Sequence, residues 1–158
     1  MIRESEFRKM YFASHGIREP EESVTRVPEG WSRTNVDIRM QLRDIMLEKT
    51  DSYREQQKVK MSDYNIIDLC CRIPPDTMKK SLNGRYKITR NFLAKFAVGL
   101  QLEIDQANDL FRQHSGSLEL TNDFDFIVYH ALLSKDGIDD FTEEVYQYLG
   151  ISLDKDRI

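Results

Sequence analysis

The sequence predicts an all-α protein, and three observations carry that prediction. Apolar residues recur three and four apart in segment after segment from about residue 36 to residue 149, the spacing of helices with one buried face. Helix-capping side chains and helix-ending glycines stand at the borders of those segments, among them Ser62, Thr89, Asn122, Gly84, Gly116 and Gly150. Only the run from Phe124 to Val128 alternates as a strand does, and no second strand signal exists for it to pair with.

Taken in order, residues 1–35 read as an N-terminal arm. Phe7, Met10 and Tyr11 are too few to fix a helix, and Gly16 to Thr34 is rich in Pro, Glu, Arg and Ser, with the breakers Pro20, Pro28 and Gly30. The single tryptophan, Trp31, lies in this stretch, either covering part of a core it crosses or anchoring a partner. Residues 36–57 follow as a long amphipathic helix, with Ile38, Leu42, Ile45, Met46 and Tyr53 on one side and Arg39, Arg43, Asp44, Glu48 and Lys49 elsewhere around the wheel. Ser62 caps the next helix, which runs to about Arg72 before Pro74 and Pro75 stop it. Met78 and Leu82 share the inner face of a short third helix, Lys79 and Lys80 fall on its wet face, and Asn83-Gly84 ends it. Thr89 caps a helix whose apolar positions are Phe92, Leu93, Phe96 and Ala97.

Residues 106–114 form a further helix through Ala107, Leu110 and Phe111, ended by Ser115-Gly116. Phe124 to Leu133 is a helix by length, capped by Asn122 or Asp123, and the last helix runs from about Phe141 to Leu149 with Asp140 and Glu143 as its capping pair. A weak repeat superposes Gly99, Leu100, Ala107, Leu110 and Phe111 on Gly137, Ile138, Val145, Tyr148 and Leu149. The expected organisation is therefore an arm over 1–35, a helical domain over 36–116 and a helical hairpin over 117–158 packed on it.

Composition narrows the function classes. The chain has 158 residues, 40% of them hydrophobic, enough for a real core. No apolar run approaches the roughly 20 residues that cross a bilayer, and the acidic start Met1-Ile2-Arg3-Glu4-Ser5-Glu6 lacks the apolar stretch of a signal peptide, so a cytoplasmic location is expected. Cys70 and Cys71 are adjacent, an arrangement that strains a disulfide, and read as reduced structural thiols. The formal charge of −4 hides a polarity: residues 61–102 carry seven Lys and Arg against three Asp and Glu, whereas residues 103–158 carry four against thirteen. A basic patch can attract a polyanion while an acidic segment faces away.

The stretch Leu82-Asn83-Gly84-Arg85, the basic loop after it, the capped Thr89-Arg90-Asn91-Phe92-Leu93 and the closing Val98-Gly99-Leu100 resemble the lambda-repressor-like (Xre-type) helix-turn-helix family, over roughly residues 61–116. The resemblance implies a lambda-repressor-like helix-turn-helix bundle with a C-terminal helical appendage, and a sequence-specific DNA-binding transcriptional regulator of prokaryotic, phage or mobile-element type. It implies that Thr77, Lys79 and Lys80 reach base edges or phosphates of double-stranded DNA, and that Asn83, Arg85, Lys87 and Arg90 hold its backbone. The plain alternative is a solvated basic face on a protein-interaction module or antitoxin-like adaptor that keeps the fold without groove contact. The Pro74-Pro75-Asp76 helix start and the acidic C-terminal half favour that second reading.

Other chemistry finds no foothold. Asp123, Asp125, Asp136, Asp139, Asp140, Glu143 and Glu144 do not have the spacing of a calcium loop and are explained by caps and helix dipoles. His15, His114 and His130 lie far apart with no nucleophile or metal-ligand pattern beside them, and there is no glycine-rich phosphate loop. Neither an enzyme nor a cofactor is expected. A homodimer is expected through the C-terminal half, because Phe124, Phe126, Ile127, Val128, Tyr129, Leu132 and Leu133 spread around more than one helical face.

Overall fold

A computed structural model of the chain describes residues 35–153, and their side chains from Ile38 onward. Residues 1–34 of the expected arm, with Trp31, lie outside the described residues, and its last residue, Asn35, is already helical. Among the described residues there are seven helices and no strand: α1 (Asn35–Gln57), α2 (Asp63–Cys71), α3 (Pro75–Leu82), α4 (Arg90–Gly99), α5 (Ile104–His114), α6 (Asp123–Ser134) and α7 (Ile138–Leu149). No helix among them is long and apolar enough to cross a membrane.

The helix starts follow the capping chemistry legible in the sequence. The Ser62 hydroxyl accepts the Asn65 N–H at 3.2 Å, Thr89 accepts that of Phe92 at 3.1 Å, and the Asn122 side chain accepts that of Asp125 at 3.1 Å. Each satisfies one of the orphan donors of a first turn. At the far end of α3, Gly84 takes φ +88°, a conformation that penalises any residue with a Cβ.

In the C-terminal half the structure departs from the sequence pattern at two points. The last helix begins at Ile138 behind Gly137, so Asp139 and Asp140 occupy its first turn rather than preceding it, and no capping pair forms between Asp140 and Glu143. Carboxylates in that first turn are still favourably placed against the helix dipole. The repeat does not extend to structure. Gly99 is the last residue of α4 and lies so close to α2 that a Cβ there would meet the Cys70 carbonyl, the Cys71 Cα and the Cys71 sulfur, all at 2.6 Å. Gly137 opens α7 with nothing within 4 Å of a Cβ position.

Helix α4 is the axis of the packing. It touches α2, α5, α6 and α7, while α1 lies across α2, α3 and α5, and α6 pairs with α7. Residues 93–98 of α4 are all buried. One continuous core runs from Ile38 on α1 to Leu153, taking in Met78, Leu82, Phe96, Phe111, Phe126 and Phe141. The apolar excess of α6 belongs to this core: Phe126, Ile127, Val128 and Leu132 are buried and Phe124 packs against them, leaving Leu133, 46% exposed, as the large apolar side chain at the surface. The surface on which a dimer was expected is thus largely interior.

Candidate nucleic-acid interface

The predicted site residues fall on α3, on the loop that follows it and on the start of α4. Pro75 occupies the first position of α3, where the missing N–H is no loss. Met78 and Leu82 are buried beneath the helix, which fixes the rotation that leaves Lys79 outside. The loop is ordered by its own hydrogen bonds. The Asn83 side-chain oxygen accepts the Arg85 N–H at 3.0 Å, and the Tyr86 N–H donates to the Lys80 carbonyl at 3.0 Å. Arg39 reaches across from α1 to donate to the Ser81 carbonyl at 2.9 Å and the Tyr86 carbonyl at 3.5 Å. A cation at the carbonyl end of a helix is electrostatically favoured. Sequence reasoning missed this role for Arg39, placing it only on the polar side of α1, because a contact spanning more than forty residues has no local signal.

Within this frame Lys79, Asn83, Arg85 and Lys87 are exposed, and Thr77 and Lys80 are half-buried. The Lys79 ammonium sits 5.1 Å from the centre of the Tyr64 ring and that of Lys80 5.2 Å from the Tyr86 ring. Such cation–ring contacts hold a long side chain in place without removing its charge. Lys80 also pairs with Asp76 one turn earlier at 2.9 Å, and this carboxylate, followed by the Tyr86 hydroxyl, holds its ammonium above the usual lysine range. Lys80 is therefore charged at any physiological pH, with part of its charge answered locally. Thr77, Tyr86, Lys87, Thr89 and Asn91 line a groove of about 620 Å³ between α3 and the start of α4. Tyr86 and Asn91 line this groove although neither is among the contact residues that the motif implies.

Arg90 stands apart from the others. Its guanidinium turns inward: Nε and Nη2 donate to the two oxygens of Asp125 at 3.1 and 2.7 Å, Nη1 donates to the Ser115 hydroxyl and the Gly116 carbonyl at 2.7 and 2.9 Å, and Nη2 donates also to the Ser117 carbonyl at 3.2 Å. It also lies 4.9 Å from the centre of the Phe111 ring. All five N–H donors of an arginine are thereby engaged within the chain. The structure makes Arg90 a clamp between α4, the loop after α5 and α6.

The cysteines, His130 and Asp139 lie away from this groove lining. Cys70 and Cys71 are free thiols; burial pushes both up, Cys71 furthest, and a thiol held protonated is a poor nucleophile. His130 is buried on α6 with Nε2 3.4 Å from the Ser134 hydroxyl. Asp139 receives a two-point contact from Arg72 at 3.0 and 2.9 Å, which holds its carboxyl below the usual range. Comparison of the chain with protein-family models, with curated proteins and with solved structures returns no match.

Proposed function

We propose that the chain is a DNA-binding transcriptional regulator in which α2 and α3 form a helix-turn-helix and α3 enters the major groove. The observation that carries this reading is the exposure of the cations of α3 and its loop: Lys79 projects from a short helix whose other face is locked into the core, and Asn83, Arg85 and Lys87 are exposed on the loop that follows it. A rigid helix with polar side chains on its free face is what groove reading requires, and cations flanking it supply the phosphate contacts. Thr77 and Lys79 lie on the part of α3 assigned to base edges; Lys80, Asn83, Arg85 and Lys87 hold the backbone. Arg90 leaves this set and supports it from within.

The test is binding of the purified protein to a pool of random duplexes, read by fluorescence anisotropy across a salt series and followed by selection of preferred sites. Arg85→Ala with Lys87→Ala should weaken binding and lower the log–log salt slope by about 1.8, since each phosphate contact contributes about 0.9. An unchanged slope in the double variant removes this face from the interface. The second reading, a protein-docking module, draws on the Asp76 carboxylate that answers Lys80 at the start of α3; it predicts no selected site at all.

A further inference from the structure

We infer that Lys95, acting with Asp139 and Leu153, is a positioning residue through which the C-terminal helices set the angle between α2 and α3. The inference rests on the reading of α3 as the groove helix and adds to it a control of how that helix is presented.

The turn between the two helices is Arg72-Ile73-Pro74, followed by Pro75. Both prolines have fixed φ angles, so Arg72 and Ile73 are the residues of the turn whose φ and ψ can both vary. Ile73 is pinned by burial at 2% exposure. Arg72 holds φ +56°, the left-handed region that a residue with a side chain enters at a cost of about 1 kcal/mol. It is held there by the last hydrogen bond of α2 and by two contacts from more distant elements. Its N–H donates to the Asp68 carbonyl at 3.0 Å, its carbonyl accepts the Lys95 ammonium at 2.9 Å, and its guanidinium grips Asp139 in the first turn of α7.

Lys95 is the centre of this arrangement. It is 7% exposed, in the middle of α4, and its ammonium also reaches the Leu153 carbonyl at 3.5 Å, with Leu153 itself buried. A buried ammonium must be hydrogen-bonded to be tolerated, and two of its acceptors are the backbone of the α2–α3 turn and the backbone after α7. Displacement of the segment after α7 therefore removes one acceptor and changes the position of the ammonium on the turn. The α7 end and the groove helix are linked through one side chain.

Lys95→Met keeps the length of the side chain and deletes the donor. Residual dipolar couplings of the backbone amides in the free protein should show α3 rotated relative to α2. Discrimination between a selected site and random duplex should fall about ten-fold, the scale of one mismatched base pair, while the salt slope, set by phosphate contacts, stays as in the parent. Asp139→Ala, on the surface, should move both quantities in the same direction by less, and it carries the test if Lys95→Met does not fold. An unchanged α2–α3 orientation overturns the inference, as does an equal loss of affinity for specific and random duplex. If the parent protein binds no duplex, the DNA-binding reading fails, and the couplings alone still decide whether Lys95 sets the turn.

Discussion

Arg90 and Asp125 meet across the junction of α4 and α6 in a two-point contact, with the Asp125 side chain 5% exposed. The Asp125 carboxylate also accepts the Glu119 N–H at 2.9 Å, so one buried acid ties α4 to the loop before α6. Removing Arg90 would leave that carboxylate buried without its cation. Arg90→Ala is expected to destabilise the fold by about 3 kcal/mol, the lower end of the range for breaking a buried pair. For a chain of this size that is a fall in melting temperature of roughly 10 °C. The double change Arg90→Met with Asp125→Leu should recover only a part of it, because an apolar pair removes the stranded charge but leaves the Gly116 and Ser117 carbonyls and the Glu119 N–H without their partners. A melting temperature in Arg90→Ala within a degree of the parent would show that the clamp contributes little.

Gly99 yields a second prediction about packing. Two of the three atoms that a Cβ would meet belong to the backbone of α2, and neither can swing aside as a side-chain end can. Gly99→Ala should therefore force α2 and α4 apart, at a cost of about 3 kcal/mol from overpacking. Denaturant unfolding measures it, and Cys71→Ala in the same chain should restore only a part, since it clears the sulfur but not the backbone. Full restoration by the cysteine change would place the clash in the side chain instead.

Truncation after Gly116 tests whether residues 36–116 stand alone. The core shared with α6 and α7 argues that they do not: Phe126, Ile127, Phe141 and Val145 bury against the same cluster as Phe96 and Phe111. Loss of that apolar area at about 25 cal/mol per Å² exceeds the stability of an ordinary domain once more than a few such side chains are removed. The truncated chain should show no cooperative thermal transition by circular dichroism. A sharp transition near that of the full chain would identify the C-terminal hairpin as a true appendage.

Local chemistry was the part of this fold legible in the sequence. Ser62, Thr89, Asn122 and Gly84 announced helix ends because a cap or a positive φ depends on neighbours within three residues. The alternating run at Phe124 resolved correctly into a helix on length. Long-range relationships were not legible. Arg90 and Arg39 looked like surface cations because nothing nearby reveals a carboxylate or a carbonyl dozens of residues away. The many apolar faces of α6 read as a dimer surface because periodicity counts apolar residues without saying what lies opposite each face; α4, α5 and α7 are what lies around them. The site was legible in composition and incomplete in membership: Lys79, Arg85 and Lys87 are exposed, as contact residues must be, whereas Tyr86 and Asn91 enter through the groove that folding forms between α3 and the start of α4.

The turn between α6 and α7 is fastened at two points by exposed ion pairs. Lys135 donates to Glu103 at 2.9 Å and to the Gln101 carbonyl at 3.2 Å, while Arg72 holds Asp139. The hydrogen bond from Lys135 holds the Glu103 carboxyl below its ordinary range, and that from Arg72 does the same for Asp139. A carboxyl whose folded pKa lies below its unfolded value contributes stability that is present above the unfolded value and is lost as pH falls through the folded one. With unfolded values near pH 4, the contribution is intact at neutral pH and disappears progressively below about pH 4. Both pairs are largely exposed, so the effect on global stability is small, and the local consequence is the one to measure. Exchange of the Phe141 amide, whose N–H closes the first turn of α7 onto the Gly137 carbonyl, should accelerate, relative to the buried middle of α4, as pH is lowered from 6 to 3, after correction for intrinsic exchange. Glu103→Gln with Asp139→Asn should show the faster exchange already at pH 6, and 1 M salt should have the same direction of effect, because a Debye length of about 3 Å screens such pairs. Equal protection of α7 at pH 6 and pH 3 in the parent chain would show that neither pair holds the turn.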